Sequence, residues 1–169
     1  MEKSRDFEPI SNYFYKFMSE GASGRLPQRS TVNSAGYDFY AFEDIEIPSH
    51  LKQFKESLDS GKTVKPFCIK TGVKVHMETD EVLYLLPRSS WSTKLGLILA
   101  NSVGVIDSDY YNNVENEGEI GFLVYNLSPK PIKIKAGEKL GQGIFSNYLK
   151  ADSDYVSAER IGGYGSTGV

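Results

Sequence analysis

Four patches of the chain carry more polar chemistry than a folded scaffold needs. In the first, Pro87-Arg88-Ser89-Ser90, a guanidinium stands beside two hydroxyls and their backbone N–H groups, directly after an apolar stretch. Arg forks onto two phosphate oxygens while N–H groups and hydroxyls fill the remaining lone pairs, so the set suits phosphate. A strand end with a turn would carry the same residues. The second patch runs Asn101-Ser102-Val103-Gly104-Val105-Ile106-Asp107-Ser108-Asp109-Tyr110. Asp107, just beyond an apolar stretch, can orient a water; Gly104 permits close backbone approach; Asn101 offers a donor and an acceptor to a base edge. A hairpin turn is the plainer account, since Asp and Asn are common there. The third, Gly137-Glu138-Lys139-Leu140-Gly141-Gln142, reads as a turn into a strand and has little weight alone. In the fourth, Arg160 precedes Gly162-Gly163-Tyr164-Gly165-Ser166-Thr167-Gly168. The backbone N–H groups, Ser166 and Thr167 could wrap a chain of phosphates while Tyr164 stacks on a base. A plain disordered terminus is the competing account.

The bulk properties narrow what these patches could serve. A chain of 169 residues suits one domain with a real core. Hydrophobic residues at 40% and charged ones at 24% are those of a globular protein. A net charge of −3 argues against a duplex nucleic-acid surface, so a polyanionic partner must be small and met by a few placed cations. Cys68 is the single cysteine, which excludes an internal disulfide and a thiolate-rich metal site. His50 and His76 are too few for a histidine-based zinc site without carboxylate help. No apolar run approaches membrane-spanning length and the N-terminus lacks an apolar signal core, so a cytoplasmic location and no membrane partner are expected.

The elements that must position the patches are mostly strands. Val73-Lys74-Val75-His76-Met77 and Ile132-Lys133-Ile134-Lys135 alternate as half-buried strands do. The denser runs 82–86, 97–100 and 122–125 suit strands covered on both faces. Short strands at close spacing give an all-β sandwich or barrel. One segment breaks the rhythm. After Pro48, Ser49 can cap a helix that puts Leu51, Phe54 and Leu58 on one face and ends at Gly61. That face predicts a surface helix packed on the β-core, with a partner-binding insert as the alternative. The stretch 10–18 is apolar with a period ambiguous between strand and short helix, and the glycine-rich tail should be mobile until something orders it.

Taken in order and with the segment 34–41 ahead of them, the four patches resemble the five motifs of the trimeric dUTPase family. Ser34-Ala35-Gly36-Tyr37-Asp38-Phe39-Tyr40-Ala41 looks like the first, 87–90 the second, 104–110 the third, 137–142 the fourth and 160–168 the fifth. The resemblance implies a distorted jelly-roll β-barrel, the β-clip of this family, as one domain over 1–169 with a helical insert at 49–61 and a flexible C-terminal lid at 160–169. It also implies a homotrimer with shared active sites, the tail crossing to close a neighbour's site. The reaction would be hydrolysis of dUTP to dUMP and pyrophosphate with Mg2+. By the family pattern Asp107 activates the attacking water, and Tyr110 packs under the deoxyribose and excludes a ribose 2′-hydroxyl. Asn101 and backbone near Gly104 read uracil. Ser89 and Gln142 meet the phosphates with Arg88 and Ser90 close by; Arg160, Gly165, Ser166 and Thr167 take the γ-phosphate end, and Tyr164 stacks. Asp38 would meet magnesium only through water.

Three departures from that pattern stand out. The stretch 111–118 is longer than the usual short turn, which puts Tyr111 in competition with Tyr110; the spacing from Asp107 favours Tyr110. Arg160 lies one residue closer to the tail aromatic. The segment between Pro48 and Pro66 replaces a tight turn and could touch a neighbouring subunit or a regulatory protein. A sister enzyme with the same Arg-Ser-Ser motif, dCTP deaminase, looks to need a glutamate where this chain has Leu123, which cannot move protons. A regulatory binding module on the same fold is the rival from another class.

Overall fold

The structure, a computed structural model, describes residues 4–14, 25–158, 160 and 162. The strands are β1 (Asp6–Pro9), β2 (Gln28–Arg29), β3 (Tyr37–Tyr40), β4 (Ile45–Ile47), β5 (Phe67–Lys70), β6 (Val73–His76), β7 (Glu81–Pro87), β8 (Leu97–Leu99), β9 (Gly104–Asp107), β10 (Gly121–Asn126), β11 (Ile132–Ile134) and β12 (Lys139–Asn147). Among the described residues an α-helix, α1 (Leu51–Ser60), interrupts them. The largest sheet has the order β2-β3-β12-β7-β9; β5-β10-β8 forms a second, and β1 with β6 and β4 with β11 form two-stranded pieces. The ladders are antiparallel. This is an all-β, jelly-roll-like fold.

Alternation decides which faces meet. Leu83 and Leu85 of β7, Phe39 of β3 and Leu140 of β12 point inward from the large sheet, and Phe122, Val124, Leu97 and Ile69 meet them from the second. Phe122 sits edge-on to Phe39 at 5.7 Å and to Trp91 at 6.0 Å, clamping the sheets together. The runs 82–86 and 122–125 are largely covered, as their density suggests, but Ile98 in the middle of β8 stays 38% exposed, so that strand is open on one face in the isolated chain.

Helix α1 ends at Gly61, but its apolar face is not buried as its spacing suggests. Phe54 alone packs, 5.1 Å from the ring of Tyr125, while Leu58 is 86% exposed. The cap position belongs to His50, but Ser49 does serve the helix start: its oxygen accepts the N–H of Leu51 at 3.4 Å while its hydroxyl donates to the carbonyl of Ser128. His50 is buried, with Nδ1 accepting the N–H of Asn126 at 3.0 Å, and this tie holds the helix's base. In the ambiguous stretch 10–18, Ser11–Tyr13 forms a 3-10 turn; 15–18 lie outside the described residues. Among the described residues no helix is long and apolar enough to cross a membrane.

Candidate active site

The predicted site residues fall into two groups at opposite ends of β7. At the C-terminal end of the strand, Asp38, Gln142 and Leu86 share one rung across β3, β12 and β7, which brings the segments 34–41, 137–142 and 87–90 together. Gln142 lies against Gly36, where an added Cβ would come within 2.1 Å of its Oε1; the glycine is there to let the amide pass. Arg88 and Ser89 follow β7 exposed, and Ser90 leads into the helical turn Trp91–Leu95, pinned by buried Trp91. The Arg88 guanidinium donates to the carbonyl of Lys139 at 3.1 Å.

Lys139 and Ser30 are members of this group that the sequence did not single out. Lys139 donates to Oδ2 of Asp38 at 2.6 Å and to the hydroxyl of Ser30 at 2.8 Å, while Ser30 also donates to Asp38. Partial burial alone would raise the Asp38 pKa, but hydrogen bonds from Lys139 and Ser30, with the charges of Lys139 and Arg88, hold it below the ordinary value. Two cations around one ionised carboxylate leave a net positive pocket, which suits phosphate oxygens. No sequence signal marks Ser30, whose role depends on β2 pairing with β3.

The other group surrounds Asp107, exposed at the end of β9. The following 3-10 turn, Ser108–Tyr110, directs Tyr110 inward; its ring is buried and its hydroxyl donates to the carbonyl of Glu119 at 3.0 Å. Tyr111 turns away, donating to Glu8 at 2.7 Å and packing on His76 and Lys74. Of the two tyrosines, then, Tyr110 belongs with Asp107. Gly104 is buried: a Cβ there would come within 2.9 Å of Leu85, so its close approach is to β7 and not to open space. Asn101 is exposed after β8, next to Ser102, which is left-handed at φ 61°. β8 pairs with β10 and β9 with β7, so 100–103 turns a corner between sheets instead of closing a hairpin.

Arg160 joins this second group, away from Arg88 and Gln142. Its guanidinium donates to Asp107 at 3.0 Å and to Asp109 at 3.1 Å and lies 5.1 Å over the Tyr110 ring. Burial opposes its charge, but the bonds to Asp109 and Asp107 outweigh that and raise its pKa further. Tyr164, Gly165, Ser166 and Thr167, expected in the lid, lie outside the described residues.

Geometry separates the groups. Asp107 pairs with Val82 and Gln142 with Leu86, on opposite edges of β7. Four residues along a strand span about 14 Å, whereas two groups gripping one phosphate lie within about 6 Å of each other. As for a metal, among the described residues no three His, Cys, Asp or Glu side chains converge. Asp38 already commits Oδ2 to Lys139 and Ser30, so the donors fit an ion that keeps its water shell and arrives on phosphates, not one caged by protein.

A sequence model of the dUTPase family matches residues 22–168. The deoxyuridine 5′-triphosphate nucleotidohydrolase of Lactococcus lactis subsp. lactis is 41% identical over 169 residues, covering 98% of this chain and 99% of that protein. The crystal structure of dUTPase from Streptococcus mutans superimposes with a TM-score of 0.68 at 38% identity, over 87% of this chain and 98% of that one. A mutant dUTPase from phage phi11 of S. aureus, described with a structural Mg(II) ion, shares the fold at a TM-score of 0.61 and 19% identity, over 92% of this chain and 98% of that one.

Proposed function

The chain belongs to the dUTPase family, and from that premise we propose how it hydrolyses dUTP to dUMP and pyrophosphate. Asp107 holds a water and accepts its proton as the oxygen attacks the α-phosphorus in line; the bond to the bridging α–β oxygen breaks, and pyrophosphate leaves with the electron pair. The Tyr110 ring carries the deoxyribose, and Asn101 with the nearby corner reads uracil. Ser89, Ser90, Arg88 and Gln142 hold the phosphates. Magnesium bound to the phosphates would neutralise their charge, with Asp38 meeting it through water.

The observation that carries this reading is the separation of the two groups along β7. Chemistry on one phosphate needs both, so the Asp107 group of one protomer must meet the Arg88–Gln142 group of another, as in a homotrimer with shared sites. Val105 supports this: it is 56% exposed two residues before Asp107, an apolar surface that a second copy would cover. Arg160 must leave the Tyr110 ring when the sugar arrives, which frees its guanidinium for the γ-phosphate end. The tail residues Tyr164, Gly165, Ser166 and Thr167 then close over the nucleotide.

Pyrophosphate release from dUTP, UTP, dTTP and dCTP tests reaction and selectivity together. Asp107→Asn should bind a non-hydrolysable dUTP analogue normally, by calorimetry, and lose nearly all turnover, because an amide orients water without accepting its proton. Unchanged turnover would remove Asp107 from the role.

A further inference from the structure

Tyr110 is held by a hydrogen-bonded relay from the loop 111–118. The backbone there is left-handed at Asn112 (φ 56°), Glu117 (φ 59°) and Gly118 (φ 82°), which non-glycine residues adopt only where neighbours enforce it. The enforcement comes partly from the backbone, with Asn112 donating to Glu117 and Glu117 donating to Asn113, both at 3.0 Å. Side chains supply the rest. Asn113 Nδ2 donates to the carbonyl of Tyr110 at 2.9 Å and to Oδ1 of Asn116 at 2.8 Å. Asn116 Nδ2 donates to the Tyr110 hydroxyl at 2.7 Å, and that hydroxyl donates to Glu119. Both ends of the tyrosine are therefore tied to one loop.

We propose that Asn116 is a positioning residue for sugar selectivity, setting the tilt of the Tyr110 ring through the phenol. The inference rests on the sugar-facing role proposed above for Tyr110. Its geometric basis is specific: the other side-chain bonds of Asn116, to Asn113 and Gly118, stay within the loop, and only Nδ2 reaches out, to Tyr110. A ring that separates a hydrogen from a hydroxyl works by close contact, and a shift of a fraction of an ångström opens room for the larger group. Amide, amide, phenol and carbonyl in series also polarise one another, which stiffens the ring's seat.

The test compares kcat/KM for dUTP and UTP in the full-length enzyme for Asn116→Ala, Tyr110→Phe, their combination and Tyr110→Ala. Asn116→Ala and Tyr110→Phe should each lower the dUTP/UTP ratio by roughly tenfold, with most of the change in the UTP term. The double variant should be no worse than the more severe single, since the Asn116–Tyr110 bond is the link both substitutions remove. If Asn116 only scaffolds the loop, Asn116→Ala lowers the melting temperature and both rates together with the ratio intact, which overturns the proposal; additive effects in the double variant also overturn it. Should Asn116→Ala fail to fold, Tyr110→Phe decides, and an unchanged ratio there rejects the relay. A ratio unchanged in Tyr110→Ala instead rejects the sugar-facing role itself.

Discussion

Arg160 and Asp107 form an ion pair at 3.0 Å, and the same guanidinium reaches Asp109 at 3.1 Å. One cation thus sits across two carboxylates and over the ring of Tyr110, where a sugar would rest. Phosphates offer Arg a bidentate partner of higher charge than a carboxylate, so a nucleotide that draws the guanidinium away would release Asp107 from its ion pair.

Arg160→Ala should therefore lower kcat/KM for dUTP by about a hundredfold, the order expected for losing one charged group that grips the substrate's phosphate chain. Steady-state pyrophosphate release measures it. Activity within a few-fold of wild type would mean that the guanidinium never leaves the carboxylates.

Gly36→Ala should weaken catalysis while leaving the fold intact. The added methyl would fall 2.1 Å from Oε1 of Gln142, the movable end of a flexible side chain, so the amide swings out and the sheet stays. The expected result is a raised KM with an unchanged thermal melt. A large drop in melting temperature with normal kinetics would contradict it.

Glu81 ties the N-terminal strand to the core. It is buried and accepts Arg5 Nε through both oxygens, at 2.9 Å and 3.1 Å, as well as the N–H of Glu78. The Arg5 bond leads in lowering its pKa, ahead of the opposing effect of burial. A lowered carboxylate stabilises the fold above its unfolded pKa of about 4.3, and the contribution disappears as pH falls through the folded value. Glu81→Gln should thus melt below wild type at pH 7, with the gap narrowing under acidic conditions. A constant gap across pH would show that packing, not charge, is what the substitution removes.

Replacing 52–62 by a short linker should leave dUTP turnover unchanged. No residue of α1 is buried, and Phe54 on Tyr125 is its main contact with the core. The melting temperature should fall by a few degrees. Lost activity would place the helix at a neighbour's site, and normal activity leaves its exposed Leu58 free for a regulatory protein.

Much of the fold was legible because strands announce themselves by alternation, and β6, β7, β10 and β11 coincide with the apolar runs. Asp107 and Tyr110 were legible together from their spacing, whereas Arg88 and Gln142 were legible as types and grouped only through the family resemblance. Rung partners such as Asp38 and Gln142 are about a hundred residues apart in sequence and meet only through the order of strands in the sheet. Helix α1 was foreseen, but not the position of its cap: Ser49 accepts the N–H of Leu51 as a capping residue can, yet the cap position itself is His50, and the Ser49 hydroxyl also ties to the turn at Ser128. Likewise, nothing local in Lys139 forecasts that it neutralises Asp38.

The seven residues of β7 have a genetic consequence. If each working centre draws one end of this strand from one subunit and the other end from its neighbour, then two inactive alleles can rescue each other. Mixing Asp107→Asn chains with Ser89→Ala chains would assemble some centres from two intact halves, and the blend would be more active than either parent alone. By the same logic a single faulty copy harms sites it does not own.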